Sequence, residues 1–237
     1  MKMKNLLSSP TYRIFSLRTE MEKLIMLSIL FSCGLIVTRI FHTGRLTFVF
    51  LVWNLFLASV PYFFTNLLTS KPGWTDKKPL VIFFFLVWLL CVPNAFYILT
   101  DLFHLGDKHN ETAVPLWYDL VLILSFAWNA LLLGILSVRQ MEKILLRHAS
   151  WKHELFFLYP VMWVNALGIY TGRYLRYNTW DVIANPFQLI HDIGHVLIHP
   201  FVFHDAWGMI FCFSVLMTLI YLTLKNLALS FPRNPLP

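Results

Sequence analysis

Six apolar runs, each about as long as a bilayer-crossing helix, constrain this chain more than any other feature. They cover residues 23–42, 46–68, 79–100, 115–138, 154–172 and 205–224. A hydrocarbon core takes roughly 20 mostly apolar residues per helix. Backbone N–H and C=O groups in hydrocarbon must be satisfied inside the segment, so each run reads as a helix and the fold class as all-α, a polytopic membrane bundle. Pro79 and Pro115 open two of the runs, in the first helical turn where proline is tolerated. With 58% apolar and only 13% charged residues, the chain has too little polar surface to cover a water-soluble globule, and no soluble domain is expected. The expected organisation is a basic cytoplasmic segment over 1–22, one transmembrane domain over 23–227 and a cytoplasmic tail over 228–237.

A shorter element precedes the last run. Asn185-Pro186 reads as an N-cap followed by proline at the first helical position, and Pro200 closes the segment. The spacing predicts an interfacial helix over 186–199, too short and too polar to span. Cys33, Cys91 and Cys212 fall inside apolar runs at spacings that form neither a disulfide framework nor a metal pattern, and are expected to be buried small residues.

Sidedness follows from the basic residues in alternate loops. Fourteen of the nineteen Lys and Arg lie on one side. Only Arg39, Arg45, Lys108, Arg173 and Arg176 lie on the other, so the positive-inside rule places both termini in the cytoplasm. The acidic residues favour the outer side, with Asp101, Asp107, Glu111, Asp119, Asp181, Asp192 and Asp205 there. The net charge of +7 is therefore an orientation signal and excludes a nucleic-acid surface.

Polar residues near the outer span ends are the functional candidates. Asn94, Tyr97, Asp101 and His104 recur at helical spacing and share a stripe if the third helix continues through His104. A carboxylate and an imidazole one turn apart can share a proton, and a charge at this depth needs a partner. Asp119 sits in the first turn of the fourth run, where the helix dipole already favours it. Gly168 and Gly172 form a small-residue face for a neighbouring helix. After them come Arg173, Arg176, Asn178, Trp180 and Asp181; the two arginines, on one helical face, suit either an anionic ligand or the carboxylates Asp101, Asp119 and Asp181. His191, His195 and His199 line one face of the interfacial helix, a weak metal pattern that completes no known signature. Asn54, Asn129 and Asn165, near mid-span, are expected to hydrogen-bond between helices. No cofactor is indicated.

Three motifs occur in order: Pro93-Asn94-Ala-Phe-Tyr97-Ile-Leu-Thr-Asp101-Leu-Phe-His104, then Pro115-Leu-Trp-Tyr-Asp119 with Trp128-Asn129, then Gly172-Arg173-Tyr-Leu-Arg176-Tyr-Asn178-Thr-Trp180-Asp181 with Asn185-Pro186. Together they resemble a bacterial integral-membrane family catalogued as domain of unknown function 1361. The resemblance implies a bacterial cell membrane and a compact helical bundle, and it brings no activity, substrate or cofactor. The three interfacial histidines are not part of the pattern.

Three readings follow. The cluster of Asn94, Tyr97, Asp101, His104, Asp119, Arg173, Arg176, Asn178, Trp180 and Asp181 binds or transports a small polar or anionic ligand. Alternatively, Asp101, His104 and Asp119 perform acid–base chemistry on a lipid-linked or phosphate-bearing substrate. In the third reading the charges only lock helices in an accessory subunit of a membrane complex. The partners expected are the bilayer, such a ligand, and a second copy or a membrane-complex subunit. Ligand binding, turnover dependent on His104, and co-purification of a stoichiometric partner distinguish the three.

Overall fold

The structure is a computed structural model describing residues 10–105, 114–148 and 155–230. Residues 1–9, 106–113, 149–154 and 231–237 lie outside the description, and with them Asp107, Lys108, His109 and Glu111. The described residues form helices and connecting turns with no strand. In chain order the helices are α1 (Pro10–Thr43), α2 (Phe50–Ser70), α3 (Lys78–Cys91), α4 (Pro93–Tyr97), a 3-10 segment (Ile98–His104), α5 (Leu116–His148), α6 (Leu155–Arg173), α7 (Asp181–Ala184), α8 (Pro186–Ile198) and α9 (His204–Ser230).

Six stretches among the described residues are long and apolar enough to cross a membrane: Glu20–Thr43, Phe50–Ser70, Lys78–His104, Leu116–Leu146, Leu155–Arg173 and His204–Ser230. They match the six runs, with two differences of physical origin. The third span is broken: α3 ends at Cys91, and Pro93, having no N–H to give the preceding turn, starts a new helix. The fourth continues past Val138, where the sequence turns charged, because Val138, Met141 and Ile144 stay buried while Glu142 finds partners. The cysteines differ from expectation too, Cys33 and Cys91 being half-buried and Cys212 exposed.

The chain packs as two compact units, Met1–Leu55 with Asp101–Asn129, and Phe56–Thr100 with Ala130–Pro237. In the first, polar bonds join α1 to its neighbours: Tyr118 donates its hydroxyl to the Leu35 carbonyl at 2.8 Å, and Asn129 donates to Ser32 at 3.0 Å. The second unit is built around α6, which packs on α4 and α9. Buried Leu68, Val81, Phe84 and Ile144 form a cluster there, and Trp88 donates its indole N–H to Ser137.

Both glycines of the expected small-residue face receive α4. A methyl at Gly168 would stand 2.7 Å from two atoms of the Pro93 ring, and one at Gly172 would stand 3.2 Å from the Tyr97 ring. A proline ring has little room to give. Gly168→Ala is therefore expected to destabilise by about 1–3 kcal/mol, the usual cost of overpacking. Gly34, where an added methyl would meet nothing within 4 Å, should tolerate alanine. Thermal unfolding of the two variants in detergent checks the contrast.

Candidate functional site

In the first unit the governing feature is an ion pair. Arg39 lies near the end of α1 among Ile36, Val37, Ile40 and Phe41, and Asp119 lies in the first turn of α5. The Arg39 guanidinium donates from Nε to Oδ1 at 2.7 Å and from Nη2 to Oδ2 at 3.1 Å, with the two side chains only 4% and 7% exposed. Two parallel bonds match the planar fork to the carboxylate. The Phe48 ring lies under the guanidinium carbon, 4.5 Å from its centroid. The expectation that Asp119 faces Arg173 or Arg176 is thereby corrected: its bidentate partner is Arg39.

Asp101 is buried in the same unit and accepts from Asn54 Nδ2 at 2.8 Å. Asn54 and Asn129 thus make the interhelical bonds expected of mid-span amides, whereas Asn165 turns back to the Val161 carbonyl of its own helix. His104 is half-buried and packs edge-on against Phe50, with ring centroids 5.4 Å apart. The 3-10 winding sets Asp101 and His104 directly above one another, since residues three apart eclipse in that geometry. Asn94 and Tyr97 belong to α4, so the four positions do not ride one uninterrupted α-helical stripe.

In the second unit Tyr97 and Arg173 come together, with Asn94 one turn earlier on α4. Arg173 closes α6 and donates from Nη2 to the Thr100 carbonyl at 2.7 Å and from Nη1 to the Tyr97 hydroxyl at 3.4 Å, with the Tyr97 ring centroid 5.7 Å from the guanidinium carbon. Asn94 donates to the Cys91 carbonyl at 3.0 Å and to the Thr179 hydroxyl at 3.1 Å. Gly172 lets the Tyr97 ring lie close against α6, which brings its hydroxyl within reach of Arg173.

The remaining predicted residues stand apart from this group. Helix α6 ends at Arg173, so Arg176 does not share its helical face; it is exposed, in a left-handed turn with φ 60°. Asp181 accepts the Asn178 backbone N–H at 2.6 Å, a local turn contact in place of an arginine partner. Trp180 and Asn178 are exposed.

Helix α8 forms as expected, though Asn185 makes no side-chain capping bond. The imidazoles of His191 and His195 stack with centroids 6.3 Å apart, and those of His195 and His199 lie tilted with centroids 4.7 Å apart. Among the described residues no three His, Cys, Asp or Glu side chains are grouped to hold a metal ion. Asp192, on the same helix, accepts from the Tyr177 hydroxyl at 2.7 Å and from Gln188 at 2.9 Å, and lies 3.1 Å from His191. The Tyr177 bond is the main cause holding the Asp192 carboxyl below the usual carboxylate range, with His191 and Gln188 adding to it. The same bond raises the Tyr177 phenol above its ordinary value.

One buried network escaped the sequence reading. Glu142 is 1% exposed and accepts from the Tyr221 hydroxyl at 2.6 Å, Lys225 at 2.8 Å and Arg139 at 3.2 Å. Its signal was present: Arg139 and Glu142 are three apart, and Tyr221 and Lys225 four apart, each pair on one helical face.

These spans and their buried polar pairs define a polytopic α-helical membrane protein. Within that class the chain belongs to the family described as protein of unknown function (DUF1361), whose model matches residues 53–220. No curated protein and no solved structure matches it. The matched segment holds Asn54, Asn94, Asp101, Asp119, Glu142 and Arg173, while Arg39, Tyr221 and Lys225 fall outside it.

Arg39→Met or Asp119→Asn should each cost about 3–5 kcal/mol and lower membrane abundance, because each leaves the other partner's charge or donors buried without its match. The double variant Arg39→Met/Asp119→Leu, which removes both charges, should recover much of that loss in thermal unfolding. For the α8 tether, a depressed carboxyl contributes stability above its unfolded pKa and loses it as pH falls through the lower folded value. A raised phenol contributes below its unfolded pKa and loses it as pH rises through the higher folded value. The Tyr177–Asp192 bond should therefore persist across neutral pH and fail only in strong acid or strong alkali. Asp192→Asn should bring the Tyr177 ionisation back toward that of free tyrosine, measured by ultraviolet titration against a Tyr177→Phe reference.

Proposed function

We propose that this protein binds a small polar or anionic ligand at the joint between α4 and α6, for passage across or reception at the membrane. The observation that carries the reading is the meeting of Arg173 and Tyr97 at one half-buried spot, positioned by a glycine contact and a helix end, with Asn94 one turn before Tyr97 on α4. A guanidinium, a phenol and an amide set at fixed positions suit a carboxylate or phosphate, and little side-chain freedom remains to be lost on binding. The excess of basic residues in the opposite loops supports an extracytoplasmic position for this joint.

The test is isothermal titration of the full chain in lipid nanodiscs with inorganic phosphate and with acetate, glycolate and succinate. The wild-type chain should bind at least one of these probes. Arg173→Lys, which keeps the charge and loses the planar fork, should weaken that binding about tenfold or more. Binding of no probe by the wild-type chain, or unchanged binding by the variant, overturns the reading.

A second reading is favoured by the Arg39–Asp119 and Asn54–Asp101 bonds, in which the buried motif carboxylates Asp119 and Asp101 join helices. In an accessory subunit, variants at these positions fail to accumulate instead of failing to bind.

A further inference from the structure

Helix α8 carries a surface that the ligand reading leaves unused. It lies between the end of one span at Arg173 and the start of the next at His204. Consecutive spans cross in opposite directions, so those two ends reach the same face of the bilayer, and the connection between them is confined to that level. Two bonds fix α8 there: Trp207, in the first turns of α9, donates its indole N–H to the Val196 carbonyl at 3.1 Å, and Tyr177 holds Asp192. Leu189 and Val196 are the buried face.

Beside that face runs an apolar edge open to the surroundings. Phe187 is 87% exposed, Ile190 68% and Ile198 76%, and Phe201 just beyond the helix is 94% exposed. At 3.6 residues per turn the first three fall within a sector of about 80°. A helix of 13 residues is too short to span, so these side chains are not part of a transmembrane surface. The next sector holds His191, His195 and His199, all exposed. An apolar edge bordered by a cationisable stripe is the pattern of a helix lying in the plane of the membrane surface.

We propose that α8 is a lipid-binding element, its Phe187–Ile190–Ile198 edge seated in the outermost acyl layer and its histidine stripe on the phosphates of anionic lipid headgroups. The occupant follows from the place of the helix, at the ends of two spans, where lipid is the adjoining phase. Imidazole is the side chain whose charge changes near neutral pH, so the stripe gains affinity for anionic lipid on acidification. Among the described residues, the charged and titratable groups facing it are few. Asp192 is bound to Tyr177, Gln188 and His191, and Asp205 is bound to His204 at 2.9 Å. Phe203, which packs on the His195 ring, is uncharged.

The experiment uses the full chain in nanodiscs of phosphatidylcholine with one quarter phosphatidylglycerol, and native mass spectrometry of the lipids it retains at pH 5.5 and pH 8. The wild-type chain at pH 5.5 should retain at least about fivefold more phosphatidylglycerol than His191→Gln/His195→Gln/His199→Gln, the effect expected of a single added charge at a membrane surface. The gap should close at pH 8. A spin label at Phe187→Cys, in a chain whose three native cysteines are replaced by serine, should be accessible to oxygen and shielded from a water-soluble nickel relaxer. All these positions are exposed except Cys33 and Cys91, which are half-buried, and the cysteine replacements are checked by thermal unfolding before labelling. Equal retention by wild type and triple variant at pH 5.5, or a label open to the nickel reagent, overturns the proposal. Neither result bears on whether Arg173 binds phosphate or carboxylate.

Discussion

A charge carried into hydrocarbon must bring its counter-charge with it, and the Arg39–Asp119 pair shows what that requirement does to this chain. Water cannot solvate either group at 4% and 7% exposure, so the guanidinium and the carboxylate satisfy each other through two bonds. Arg39 has a fixed height on α1 and Asp119 a fixed height at the start of α5. The bond therefore sets the register of the two helices. Phe48 under the guanidinium and the Tyr118 hydroxyl on the Leu35 carbonyl act at the same end of the pair of helices. Hydrophobic attraction cannot set such a register, because lipid is as apolar as leucine.

The same rule organises the second unit at Glu142. There the carboxylate accepts from a tyrosine, a lysine and an arginine, the first two on α9 and the third one turn away on α5. The network lets the charge of Glu142 lie buried within α5. Polar bonding thus marks where these helices meet.

The spans were legible in the sequence because length and apolarity are local properties. Partner choice was not. Asp119 had several arginines available in the sequence, and Arg39, inside an apolar run, looked like one more boundary charge until the fold brought α1 and α5 together. Arg176 looked like a helical neighbour of Arg173 by spacing, but the helix ends at Arg173 and Arg176 itself sits in the left-handed region. Asn94, Tyr97 and Arg173 were each singled out from their motifs. What joins Tyr97 to Arg173 is the close approach of α4 to α6, which depends on Gly168 and Gly172 facing one particular partner.

That approach works as a vernier. A proline ring rests on one glycine and a tyrosine ring on another a turn later, and the positions flanking Gly168 are Leu167 and Ile169, both bulky and branched. Sliding α6 by a single residue would set a branched side chain against that ring, so only one alignment of the two helices closes. The height of the Arg173 guanidinium beside the Thr100 carbonyl is consequently written by two absent methyl groups, and not by the strength of the bond that the arginine itself makes.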